Sequence, residues 1–61
     1  MWVTAVDGLA YNISVARCIM INLYNDIVAV YDADYEIRLK QCASYEEAVR
    51  EFNDLLQLLS K

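Results

Sequence analysis

The chain has 61 residues, a net charge of −4, no His, no Pro and one Gly. That length is one domain, residues 1–61. Lack of His removes the commonest general base and metal ligand, and a single glycine cannot build a phosphate cradle.

The acids are spread evenly, five in residues 1–43 and four in 44–61. A nucleic-acid surface is basic and clustered, the opposite of this pattern. Apolar residues, counting Tyr, Cys and Ala, make up 59%. A chain this short hides only about 60% of its unfolded surface, so the excess points to a second copy or another protein as cover.

Met1 to Val6 is β-branched and aromatic and reads as a strand. Asp7-Gly8 suits a two-residue hairpin turn of type I′. Leu9, Tyr11 and Ile13 alternate with Ala10, Asn12 and Ser14, which is strand periodicity. Asn12 to Val15 is a place for that strand to break, because Asn and Ser bond to nearby backbone.

Residues 16–24 form the strongest strand, with Ile19, Ile21 and Leu23 on one face and Cys18, Met20, Asn22 and Tyr24 on the other. Both faces are largely apolar, so this strand is expected to be central or covered twice. Asn25-Asp26 is the next turn, and residues 27–31 form a strand with two apolar faces. Asp32-Ala33-Asp34 is a third turn. In residues 35–41, Tyr35, Ile37 and Leu39 point one way and Glu36, Arg38 and Lys40 the other, a half-exposed strand whose charges would discourage aggregation if it lies at a sheet edge.

Ser44 and Glu47 form a capping box. Tyr45, Ala48, Val49, Phe52, Leu55, Leu56 and Leu59 follow as one apolar stripe at helical spacing. Leu58 widens that stripe, and Phe52 and Leu56 at its middle are the expected anchors to the sheet. Fraying is expected at Ser60-Lys61.

The expected fold is α+β: an antiparallel four-stranded meander, ββββα, over residues 1–43, with one C-terminal helix, 44–61, packed on one sheet face. The other face, for which Met20, Tyr24, Ala29 and Tyr31 are the candidates, or an edge strand, is then left to a partner; the alternation does not set which parity faces the helix. Trp2, Met20, Tyr24, Tyr31, Leu55, Leu58 and Leu59 are the interface candidates, the leucines serving a helix-to-helix contact and the others a sheet-mediated one.

No residue set points to chemistry. Asp32, Asp34 and Glu36 start like a calcium loop but lack its glycine and its closing bidentate acid. Cys18 and Cys42 are too few for a metal site or a disulfide scaffold, and read as reduced, buried thiols. The N-terminus lacks the basic and apolar regions of a signal peptide, so a cytoplasmic protein is expected and the Asn12-Ile13-Ser14 sequon is incidental. No cofactor and no membrane partner are expected.

The start Met1-Trp2-Val3, the Asp7-Gly8 turn, Asn12, the paired Val/Ile strands and the Ser44, Glu46, Glu47, Ala48 helix start together resemble small uncharacterised proteins of Firmicutes and their phages. The resemblance implies a β4α architecture and no activity. The strand order is also similar to that of the positive-cofactor-four-like proteins, which dimerise through helices and bind single-stranded DNA. That function wants a positive groove, whereas Arg17, Arg38 and Lys40 here face five acids.

The expectation is therefore a non-enzymatic protein-interaction module that forms a homodimer or higher oligomer. A phage or mobile-element inhibitor of a host defence or nucleic-acid enzyme is the alternative. A single-strand binder comes third.

Overall fold

The computed structural model describes residues 1–32 and 35–60. Strand β1, Trp2–Thr4, pairs antiparallel with β2, Ala10–Asn12. The Asp-Gly signal does make a hairpin, but its loop is Val6-Asp7-Gly8. Gly8 donates its amide to the Ala5 carbonyl at 3.0 Å, and Ala5 donates to Leu9 at 2.8 Å. Gly8 takes a φ of +86°, a conformation that glycine adopts without steric cost.

Asn12 ends β2 because its side chain caps a short 3-10 turn, Ile13–Val15, by accepting from the Ser14 amide at 3.1 Å. The break anticipated at Asn12–Val15 thus forms, and Ile13 drops into the core at 2% exposure. It also divides the sheet. The expected four-stranded meander is replaced by a two-stranded sheet, β1-β2, and a separate three-stranded antiparallel sheet in the order β3-β4-β5.

Strand β3 is Cys18–Ile21, β4 is Asp26–Asp32 and β5 is Tyr35–Gln41. Strand β3 is an edge, not the centre expected of residues 16–24. It is also shorter than expected, since Leu23, Tyr24 and Asn25 form a loop built like the first. Asn25 donates to the Asn22 carbonyl, Asn22 donates to Asp26, and Asn25 supplies the left-handed third position with φ +64°. Asn tolerates that region because its short side chain bonds locally. The Asn22 side chain holds the loop, accepting from the Tyr24 and Asp26 amides and donating to the buried Asp26 carboxylate at 3.3 Å.

The central strand is β4, whose residues 26–29 are buried on both faces. Ile27, Ala29 and Tyr31 face inward with Ile19, Ile37 and Leu39, and the β1-β2 hairpin adds Val3, Ala5 and Tyr11 to the same core. Between Ile27 and Val28 the register shifts, because Ile27 pairs with Lys40 and Val28 with Arg38, leaving Leu39 as the extra residue of a bulge.

The turn expected at Asp32-Ala33-Asp34 falls on Ala33 and Asp34, which lie outside the described residues, as does Lys61 at the expected frayed end. Helix α1, Tyr45–Leu59, begins where its capping box predicts. Ser44 Oγ accepts from the Glu47 amide at 3.2 Å, and Glu47 Oε2 reaches back to the Ala43 amide at 2.8 Å. Its fully buried residue is Ala48, and Phe52, Leu55 and Leu59 pack behind it against the core. Leu56 departs from expectation: it is 42% exposed and lies on a flank of the helix.

Two stability outcomes follow from this packing. Replacing Ser44 with Ala should cost about 1 kcal/mol and speed amide exchange in residues 45–48 more than in the strands; unchanged exchange there would show that the cap does not hold the helix start. Phe52→Ala should cost about 3 kcal/mol, the low end for an aromatic truncation because the ring is half-buried. Leu56→Ala should cost only about 1 kcal/mol. Equal losses in thermal unfolding would overturn this ranking.

Candidate functional site

The interface candidates do not share one face. Trp2 is 70% exposed on the side of β1 opposite Val3, its neighbour in the core. Tyr24, 80% exposed, sits beside the 97% exposed Leu23 at the tip of the β3-β4 loop. Met20 lies on the outer face of β3 and pairs with Val28. Tyr31 lies on the inner face instead, half-buried against the core, with its hydroxyl donating to the Asn12 carbonyl at 3.1 Å. Burial raises its pKa. Ala29, expected on the open side with Tyr31, is wholly buried in that same core.

The outer sheet face is less apolar than expected. Val28 is completely buried, and its register partners are Met20 on one side and Arg38 on the other. What stays open there runs along β3, where Cys18 and Met20 are both exposed. Cys18 is therefore not the buried thiol expected, because it lies on the outer face of an edge strand. Cys42 is half-buried, and burial pushes its thiol pKa up. Both cysteines are free.

Two apolar depressions flank the helix, and sequence reading named few of their lining residues. The first, about 370 Å³, lies beside β3; Ile13, Ala16, Cys18, Ile19, Leu56 and Leu59 supply its apolar lining and Ser14 a polar part. Strand β3 has no partner on its outer edge among the described residues. It also has no charge, proline or bulge of the kind that blunts such edges. The second, about 250 Å³, lies between β1, β5 and the helix; Val3, Ile27, Leu39, Leu55 and Leu58 supply its apolar lining beside Thr4, Lys40, Glu51 and Asp54.

The three leucines proposed for a helix-to-helix contact are thus distributed: Leu55 and Leu59 pack on the core, and Leu58 borders the second depression. The missed signal was angular. At about 100° per residue, Leu56 and Leu58 lie roughly 80° to either side of the Ala48-Phe52-Leu55-Leu59 line. Each flank of the helix therefore carries an exposed leucine.

Among the described residues, no three His, Cys, Asp or Glu side chains converge to hold a metal ion, and no helix is long and apolar enough to cross a membrane. The one ion pair among them is Lys40 Nζ to Glu51 Oε1 at 2.9 Å. Comparison with protein-family models, curated proteins and solved structures finds no match.

One polar pair is coupled. Tyr11 donates its hydroxyl to Asp7 Oδ2 at 2.6 Å, and the Leu9 amide donates to Asp7 Oδ1 at 2.9 Å. The Tyr11 bond, then the Leu9 amide, hold the Asp7 carboxyl below its ordinary 3.8, and the hydrogen bond to Asp7, then burial, push Tyr11 up to about 12. A depressed carboxylate stabilises the fold above its unfolded pKa and loses that contribution as pH falls through the native value. A raised phenol stabilises below its ordinary 10.0 and loses the contribution as pH rises through about 12. Tyr11→Phe should therefore lower thermal stability most across the neutral range, with the difference from wild type shrinking at both acid and alkaline extremes. A difference independent of pH would refute the coupling.

Proposed function

We propose that this chain is a non-enzymatic protein-interaction module that works as a homodimer, with the free edge of β3 as its contact. The supporting observation is the coincidence of an unpaired strand edge and the apolar hollow beside it, bordered by Leu56 and Leu59. A strand added to β3 satisfies the edge amides and carbonyls and lowers an inward side chain onto that hollow.

The sequence of β3, Cys-Ile-Met-Ile, supplies such a strand itself. Antiparallel pairing about a twofold axis keeps inner residues on the inner face, and a register centred on Ile19 joins two three-stranded sheets into one of six strands. Four residues of edge pairing make a small contact. A stable interface buries about 800 Å² per partner, against a total chain surface of 4334 Å², so the helix flank at Leu56 must join it. The two unpaired thiols agree with a reducing, cytoplasmic setting.

Sedimentation over a wide concentration range tests the reading. Wild type should move from monomer to dimer within the micromolar range. Met20→Lys places a charge on the exposed side of the edge strand and should abolish the dimer without lowering the monomer's helix content. Leu56→Lys should weaken it. A wild-type chain that stays monomeric at high micromolar concentration would sink the proposal.

A further inference from the structure

The depression between β1, β5 and α1 exists because two sheet edges approach and then fail to join. Val6 donates its amide to the Arg38 carbonyl at 3.1 Å. Val6 and Asp7 lie beside Glu36 and Ile37, while Val3 and Thr4 lie beside Leu39 and Lys40. Strand β1 therefore runs antiparallel to β5, yet the ladder does not continue past Val6, and the two strands belong to different sheets. The bulge at Leu39 lies at the point where pairing would continue, and a bulge bends its strand and increases its twist.

The cleft so formed has an apolar floor, Ile27 and Leu39, both buried, and apolar walls, Val3, Leu55 and Leu58. Its volume, about 250 Å³, falls below the ~300–1,000 Å³ of sites that enclose a drug-sized ligand or cofactor. It exceeds the ~150 Å³ of an apolar cavity that takes up benzene. One bulky apolar side chain is the occupant of that size. The chain's own Trp2 does not serve, since it projects from the side of β1 opposite Val3.

The mouth carries three charges. Lys40 and Glu51 neutralise one another across 2.9 Å, and Asp54 has no ion-pair partner among the described residues. The rim is therefore net negative, on a chain whose total charge is −4. Cations are drawn to such a mouth and anions are turned away.

We propose that this cleft binds a linear segment of a partner protein in which one bulky apolar residue is flanked by Lys or Arg. The apolar side chain fills the cleft over Leu39, and a flanking cation meets Asp54. The site stands apart from the β3 edge and does not depend on self-association, because β3 and β5 are opposite edges of the three-stranded sheet.

The test is amide chemical-shift mapping on isotope-labelled full-length protein at a fixed low concentration. The probe is the capped tripeptide Lys-Trp-Lys, and Glu-Trp-Glu and Lys-Ala-Lys serve as controls. Lys-Trp-Lys should give saturable shifts centred on Val3, Leu39, Leu55 and Leu58. Both controls should leave those amides nearly still. Asp54→Asn should weaken binding by up to about fivefold, the range of one exposed ion pair. Leu58→Lys, at a half-exposed position, should abolish the shifts while thermal unfolding stays near wild type. Silence at these amides, or equal shifts with either control, would overturn the proposal. Shifts there that track protein concentration with no peptide present would also overturn it, by assigning the cleft to a second copy.

Discussion

The short 3-10 turn at Ile13–Val15 is the constraint on which the rest of this molecule depends. Asn12 bonds to the Ser14 amide and the Met1 amino group, and Ser14 Oγ takes a second bond from Met1 at 2.6 Å. These contacts close the hairpin end and turn the chain before β2 can reach β3. Ile13 converts the turn into core, because its buried side chain packs with Ala5, Ile27, Ala29 and Leu39. A strand continued through residues 13–15 would pair onward and cover β3. Because the strand stops, β3 keeps a bare edge, the hairpin lies over the inner face toward β5, and a cleft opens where β1 and β5 diverge. One local break thus generates both of the surfaces proposed above as contacts.

The second constraint is the scarcity of covering material. A single helix of 15 residues shares the inner face with a hairpin of three-residue strands. Its narrow inward line, Ala48, Phe52, Leu55 and Leu59, is enough for the core, and Ala48 permits close approach at full burial. The helix has more leucine than that line needs. Leu56 and Leu58 are left on opposite flanks, each beside one depression. A monomer stabilised only by its core gains little from either residue, and apolar side chains grouped beside a cleft are the usual mark of contact surfaces.

The span and cap of the helix were legible because their signals are local: the Ser44–Glu47 box and a 3.6-residue period need no knowledge of the rest of the chain. Its inward face was not, since Tyr45 and Leu56 of the expected stripe are 64% and 42% exposed. The hairpin at Asp7-Gly8 was legible for the same reason, though not its loop length. A left-handed residue closes a two-residue turn or the third position of a three-residue one, and Gly8 does the latter. Asn25 does the same in the next loop, which is why Leu23 and Tyr24 became a loop tip and not strand. Neighbour order was not legible. Apolar alternation in residues 16–24 shows that two faces are apolar, but an edge strand beside an open hollow has the same pattern as a central strand. The burial on both faces that was expected of β3 occurs in β4, and Tyr31 moved inward with it. The sequence shows a surplus of apolar side chains but not where they gather, since their position depends on where the sheet divides.

The two proposed surfaces have a joint consequence. Pairing through β3 buries one edge of the three-stranded sheet and the Leu56 flank, leaving the β5 edge and the Leu58 flank turned away from the twofold axis. The dimer then carries two acidic-mouthed clefts at its far ends. A single cleft of this size holds one side chain, and one side chain with one flanking cation binds weakly. Two clefts on one six-stranded platform would bind a partner with two such segments far more tightly, because the second contact would be intramolecular and its effective concentration would replace the bulk one. Self-association in this arrangement would be more than a way to cover surplus apolar surface: it would convert a weak single-residue site into a selective one, with selectivity resting on the spacing between segments in the partner as much as on their sequence.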